Sequence, residues 1–356
     1  MTRPINAIIN LSNLKFNLEK LKGFTRSKLI IVAKANAYGH GLVKCLKILK
    51  IADGIAVLDL KDAINIRKSG YRGLILLLEG FFKKSELTKI ILYEISPVIH
   101  SDYQVKILKK NSELSLKKVF IKFNSGMNRL GFDLSRNQEL LSFFEHKVSK
   151  KNIFFMTHFA DADNSRGIKW QLDRYRKRIN NEHDLNTFSN SASVLSEPTL
   201  RQTWVRPGII TYGVSPFPKK TGYDLGYKPV MKFSSKIVAI QNIKKGETVG
   251  YGSKFKSKSN LKIGVVACGY GDGYPRNIKN GFVYVSKFKA KIVGVISMDL
   301  ITVDITKIYN VDIGSEVELW GDKIPIEIVA KNANTIPYEL LVKVTSRVRR
   351  KIIHSR

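Results

Sequence analysis

The apolar run Leu29-Ile-Ile-Val-Ala33 and the lysine that follows it constrain this chain more than any other segment. Such a run, without polar alternation, reads as a buried strand of a parallel sheet. Lys34 stands where that strand should end, and Gly39 and Gly41 open the next segment. In α/β folds ligands sit at the carboxyl ends of strands. A lysine emerging there from an apolar wall is deprotonated more easily, because desolvation penalises the ammonium, and it can act as an amine nucleophile or a base. From this segment alone, a strand that ends in a solvated lysine is an equally good reading.

The same texture recurs. Apolar runs at Leu29–Ala33, Gly54–Leu60, Gly73–Leu78, Ile95–His100, Val119–Phe123, Ile153–Thr157, Asn186–Ser189 and Gly208–Gly213 are separated by gaps that mostly hold a helix, such as Trp170–Ile179. Strands alternating with helices in this number predict a (β/α)8 barrel. After about Tyr223 the pattern changes to short, glycine-punctuated, Val/Ile/Thr-rich segments: Phe233–Ile240, Gly246–Gly250, Lys262–Ala267, Lys291–Ile296, Leu300–Ile305 and Val317–Trp320. Alternation such as Leu300-Ile-Thr-Val-Asp-Ile-Thr306 predicts a mostly antiparallel β domain. The expected class is therefore α/β: a TIM-like barrel over residues 1–223 and a mostly-β domain over 224–356, with Ala7–Leu11 as an extra strand pairing with the second domain.

Composition narrows the function. The 356 residues suffice for a barrel and a second domain. Cys45 and Cys268 have no CxxC partner, and the histidines (His40, His100, His146, His158, His183, His354) lack metal-ligand spacing, so no metal is expected. No apolar run is long enough to span a bilayer, and the N-terminus lacks a signal-type apolar region, so a cytoplasmic protein is the default expectation. The net charge of +32 permits nucleic-acid binding, but the lysines are dispersed along the whole chain, which reads as a lysine-rich surface rather than a specific nucleic-acid site.

Several further segments carry chemistry. In Phe120-Ile-Lys-Phe-Asn-Ser-Gly-Met-Asn-Arg-Leu-Gly131 a strand ends in a glycine turn that bears Arg129, a side chain suited to clamp a carboxylate or phenolate. His158 follows the sixth strand in Thr157-His-Phe-Ala-Asp-Ala-Asp163. Ser189-Asn-Ser-Ala-Ser193 and Val205-Arg-Pro-Gly-Ile-Ile-Thr-Tyr-Gly213 fall at the seventh and eighth strands, where such barrels bind phosphate. Each segment alone has a blander reading, as a surface ion pair, a structural histidine or an ordinary turn. Gly269-Tyr-Gly-Asp-Gly-Tyr-Pro-Arg276 is a glycine-rich turn in the second domain and weak evidence by itself.

Taken together and in order, these segments resemble the alanine racemase family, from about residue 5 to 350. Val32-Ala-Lys-Ala-Asn-Ala-Tyr-Gly-His-Gly41 is similar to its pyridoxal-phosphate lysine motif. The resemblance implies that Lys34 holds the cofactor as a Schiff base and that Tyr38 binds its phosphate, with Ser191, Gly208, Ile209 and Tyr338. It assigns Arg129 to the cofactor's phenolic oxygen and the substrate carboxylate. Lys122 matches a position that some members carry as an N-carboxylated lysine. Arg206 would face the pyridine nitrogen, keeping it unprotonated because arginine only donates, and His158 would hydrogen-bond Arg206. Tyr270, in the Gly-Tyr-x-Asp-Gly element, would be the second acid/base opposite Lys34. Met298, in Ser297-Met-Asp299, would contact the substrate carboxylate. Both reach the site from the partner subunit in this family, which implies a homodimer with shared active sites. Two positions depart from it: Thr187 replaces a ring-stacking histidine, and Val295 replaces an arginine.

The expectation is thus a two-base alanine racemase that supplies D-alanine for peptidoglycan. The alternatives are a racemase of serine or another small amino acid, and a non-catalytic pyridoxal-phosphate protein. The second domain, bearing Tyr270 and Met298, weighs against the last. Neither a specific nucleic acid nor a membrane is an expected partner.

Overall fold

The computed structural model describes residues 3–179 and 185–354; His183, counted above among the scattered histidines, lies outside them. The chain starts with strand β1 (Asn6–Asn10), and the Asn10 side chain then caps helix Leu11–Phe24 by accepting from the Ser12 and Asn13 N–H groups at 3.0 and 3.2 Å. Eight parallel strands follow: β2 (Lys28–Val32), β3 (Gly54–Val57), β4 (Leu74–Leu77), β5 (Ser96–Ile99), β6 (Val119–Lys122), β7 (Ile153–Met156), β8 (Asn186–Thr187) and β9 (Trp204–Val205). They pair in chain order, and β2 closes on β9 through Lys28↔Trp204 and Leu29↔Val205. From β3 to β7 the strands are buried along their length except at Leu74, because side chains face either the barrel interior or the helices, so the runs show no polar alternation.

The eighth barrel strand differs from the expectation. It is Trp204–Val205, and the run Gly208–Gly213 contains a 3-10 turn over Ile209–Tyr212. All four residues of that turn are buried. A fully buried apolar stretch has no periodicity to separate a strand from a helical turn.

Beyond the barrel, the 13-residue strand β10 (Met231–Ile243) is the hub of a mostly antiparallel sheet. It pairs with Leu261–Val266, with Glu316–Trp320 and with β1 (Asn6↔Ser234, Ala7↔Phe233). The other edge of β1 takes the C-terminal strand Arg349–Ile353 in parallel, Asn6 opposite Arg349. Both ends of the chain are thus knitted into the second sheet. Strands Phe288–Lys291 and Arg349–Ile353 carry too many lysines and arginines to be read from pattern alone, and Phe282–Val285, although apolar throughout, is only four residues long. The run expected at Lys291–Ile296 contributes only the end of one strand and an isolated bridge, Ile292↔Val303.

Candidate active site

The carboxyl ends of the barrel strands open into a cavity of about 640 Å³. Lys34, two residues past β2, projects into it from a left-handed turn: Ala35, Asn36, Ala37 and Tyr38 all have φ between 50 and 56°. Left-handed backbone costs an L-residue roughly 1–2 kcal/mol, so packing must hold the turn. Gly39 continues it at φ 78°, with helix Pro337–Lys343 against it so closely that an added Cβ would lie 2.1 Å from the Leu341 carbonyl oxygen. The buried His40 ring stacks on Tyr212 at 4.6 Å, and its Nδ1 lies 2.9 Å from the carbonyls of Ala37 and Tyr38. The helix that clamps the turn also carries Tyr338, whose ring stands 6.1 Å from that of Tyr38.

Lys122 is the last residue of β6 and is 7% exposed. Arg129 reaches the cavity from the loop that follows. Burial, then the positive charges of Arg206, Arg129 and Lys34, pull the Lys122 ammonium down to about 8. Lys34 is lowered by burial and then by Arg129, with Glu79 opposing. Glu79, just past β4, also lines the cavity and was missed in the sequence. Its signal was present: like Lys34, it is an ionisable residue two positions past an apolar strand.

Arg206 follows β9 and is buried. Its Nη1 donates to Thr187 Oγ1, and its Nη2 to the Thr157 carbonyl at 2.7 Å and the Phe188 carbonyl at 3.2 Å. Nη2 also lies 3.3 Å from His158 Nδ1. Burial lowers the guanidinium to about 9, which leaves it charged at neutral pH. His158 is held well below its ordinary value by burial and by the neighbouring Arg206, Lys122, Arg129 and Lys34. It is therefore neutral, and Nδ1 can accept from Arg206. Thr187, the departure at the seventh strand, serves here as an acceptor for that guanidinium.

In the same cavity, the Gly208 N–H donates to Ser191 Oγ at 2.8 Å. A Cβ on Gly208 would stand 2.4 Å from the Tyr38 hydroxyl, so only glycine leaves this cradle open. Tyr38, Ser191, Gly208, Ile209 and Tyr338 all line it. Burial raises the Tyr38 phenol, and it raises Tyr338 to about 12, so both remain protonated donors. The cavity as a whole offers hydroxyl and backbone donors together with the basic groups of Lys34, Lys122, Arg129 and Arg206.

Tyr270 and Met298 are not part of it. They sit in the second domain on adjoining loops, 40% and 53% exposed. One chain thus brings together every other residue given a role by the resemblance and leaves these two exposed.

The chain matches the family model "Alanine racemase, N-terminal domain" over residues 9–216 and "Alanine racemase, C-terminal domain" over residues 230–352. It is 42% identical over 355 residues to an alanine racemase of Nitrosomonas eutropha, covering 98% of both chains. With an alanine racemase of Paraburkholderia phytofirmans it shares 40% over 351 residues, covering 98% of this chain and 99% of that protein. Among solved structures it is similar to alanine racemase from Acinetobacter baumannii (TM-score 0.92, 36% identity, 99% and 100% of the two chains). Biosynthetic alanine racemase from Pseudomonas aeruginosa aligns with a TM-score of 0.94 at 34% identity, again over 99% and 100%.

Proposed function

The chain belongs to the alanine racemase family and interconverts L- and D-alanine; from that premise we propose that it works with pyridoxal phosphate held by Lys34 and with two bases, Lys34 and Tyr270 of the partner subunit. The residues fit this cofactor on two counts. The cradle at Gly208 is kept free of side-chain atoms beside hydroxyl donors, as a phosphate requires. Lys34, Lys122, Arg129 and Arg206 together match a ligand with anionic oxygens. When bound, pyridoxal phosphate supplies the electron sink that acidifies the Cα–H of an amino acid.

The protein's own residues do the rest. Tyr38, Ser191, Gly208, Ile209 and Tyr338 bind the phosphate. Arg206 meets the pyridine nitrogen as a donor only, and its hold on Thr187, Thr157, Phe188 and neutral His158 fixes its direction. A cation there would leave the ring nitrogen of a bound cofactor unprotonated and would favour simple proton exchange over side reactions. Arg129, with Met298 of the partner subunit, orients the substrate carboxylate. Lys122, as an amine or as its carbamate, supports Arg129. Burial and Arg129 favour the neutral Lys34 amine, which exchanges the Cα proton on one face while Tyr270 exchanges it on the other.

One observation carries this reading. Lys34, Arg129, Lys122 and the Arg206–His158 pair converge on one cavity, while Tyr270 and Met298 stand outside it, which supports a homodimer with shared sites. We also divide the chain into units 1–223 and 224–356, supported by the strand-free stretch between β9 and β10. The same reading assigns the enzyme to the cytoplasm, making D-alanine for peptidoglycan, with an amino acid rather than nucleic acid or membrane as its ligand.

The deciding experiment incubates cofactor-saturated protein with L-alanine and measures D-alanine by chiral chromatography, beside Lys34→Ala. D-alanine from the native chain alone is the expected result; equal formation by the variant would sink the role of Lys34.

A further inference from the structure

The loops that carry Tyr270 and Met298 are tied together by four charged side chains from distant parts of the chain. Asp272 is fully buried. Its Oδ1 accepts from Arg347 Nε at 2.7 Å, and its Oδ2 accepts from Arg3 Nη2 and from the Gly269 N–H, both at 3.0 Å. Arg3 continues to the Asp299 carbonyl at 2.6 Å, with its Nη1 3.4 Å from Asp299 Oδ1. Arg347 Nη2 donates to the same Oδ1 at 2.5 Å. Two arginines, one from each end of the chain, therefore each bridge the same two aspartates.

The backbones of the two loops are in direct contact. The Tyr270 N–H donates to the Ser297 carbonyl at 3.1 Å and the Gly271 N–H to the Met298 carbonyl at 2.8 Å. A Cβ on Gly269 would lie 2.2 Å from the Met298 oxygen. Thr345, two residues before Arg347, adds bonds to the Gly271 and Asp272 carbonyls. A buried carboxylate is stable only with a full set of partners, and losing one leaves an uncompensated charge. The turn Tyr270–Asp272 is thus fixed through Asp272, which is buried, while the tyrosine side chain stays exposed.

We propose that Asp272, gripped by Arg3 and Arg347, is a positioning residue for racemisation: it sets the height and angle at which the Tyr270 phenol is presented to the partner subunit's cavity. This rests on the reading that Tyr270 is the second base. The physical need is plain, since a misplacement of about 1 Å at a reacting group can cost on the order of 100-fold in rate. Asp272 has no contact with the cavity of its own chain. It acts through the turn.

The test uses cofactor-saturated Tyr270→Phe, Asp272→Asn and Arg347→Lys proteins. Wild-type activity in Tyr270→Phe would remove the underlying reading and the proposal with it. If that variant is impaired, Asp272→Asn should lower kcat/KM by about 100-fold. Its α-deuterium isotope effect on kcat/KM should rise in one direction of racemisation and fall in the reverse, because only the barrier on the Tyr270 side is raised. Arg347→Lys keeps the charge without the two-pronged geometry and should show the same opposed isotope effects with a smaller loss; its half-exposed side chain makes it the reserve if Asp272→Asn does not fold. In cofactor-free protein, amide exchange over residues 267–275 should quicken in both variants while that of β2 stays unchanged. Isotope effects that move together in both directions, or activity retained despite faster exchange, would overturn the proposal.

Discussion

Lys122 shows what the crowd of cations in the barrel does to a single residue. Its pKa of about 8 lies below the 10.5 of a free lysine, so the unfolded chain holds the proton more tightly than the folded one. Below about pH 8 the buried ammonium is charged in both states and its desolvation cost is present in full; the cost fades as pH rises from about 8 towards 10.5. Cofactor-free Lys122→Met should therefore be more stable than wild type at pH 7 in carbonate-free buffer. The gap should narrow through that window, as read from urea unfolding at a series of pH values. A gap independent of pH would mean that the site is wetter than its burial implies. Thr187 offers a second test. Thr187→Val strips the Arg206 Nη1 of its hydroxyl acceptor inside the barrel, and an unsatisfied buried donor costs about 1–3 kcal/mol. A loss in that range is expected in denaturant unfolding, and an unchanged midpoint would show that the hydroxyl is dispensable.

Among the elements, the left-handed turn after β2 is the most unusual. It lifts Lys34 and Tyr38 into one cavity from positions four residues apart, and it does so with ordinary L-residues. Ala35 is exposed, at φ 50°. Ala35→Gly should relieve left-handed strain and raise stability by about 0.5–1 kcal/mol, measured by thermal unfolding, because the conformational gain slightly exceeds the entropy glycine loses. The 3-10 turn after β9 makes the opposite demand. Gly208→Ala puts a methyl 2.4 Å from the Tyr38 hydroxyl, so cofactor affinity should fall by at least about tenfold, the equivalent of one modest lost interaction; fluorescence titration with pyridoxal phosphate reads it. Neither geometry was legible in the sequence. Ala35-Asn-Ala-Tyr38 contains no glycine, and nothing in its composition announces four successive positive φ values. The backbone is held there by His40, two residues beyond the turn, and by Leu341 and Tyr212, which come from distant parts of the chain.

For the whole molecule, the decisive question is how the exposed Tyr270 reaches a cavity. If it comes from a second subunit, Lys34→Ala and Tyr270→Phe are each inactive alone yet complementary. A mixed dimer holds one site with both lesions and one intact site. Unfolding, mixing and refolding equal amounts should recover about a quarter of wild-type activity, since half the dimers are mixed and half their sites are intact. No recovery would place both bases in one chain or deny the dimer. The +32 charge acts at this scale too. It is spread over both domains, so its expected effect is salt-sensitive, sequence-independent attraction of anions.

The barrel and the second sheet were legible in the chain's hydrophobic pattern, because burial of both faces of a parallel strand leaves runs such as Leu29–Ala33 and Val119–Phe123 with no polar alternation. The ionisable cavity residues were legible too, because an ionisable residue at the end of such a run stands where a barrel opens, whereas Tyr38, Ser191, Gly208, Ile209 and Tyr338 were marked only by the family resemblance. Packing in three dimensions made Trp204–Val205 rather than Gly208–Gly213 the eighth strand, set Thr187 against Arg206, and brought Glu79 to the basic residues. Arg3, Asp272, Asp299 and Arg347 likewise met only on folding. Local pattern reports how a residue meets its own strand or helix, whereas these contacts join segments from 19 to 296 residues apart, and their geometry exists only once the barrel and the second sheet have packed.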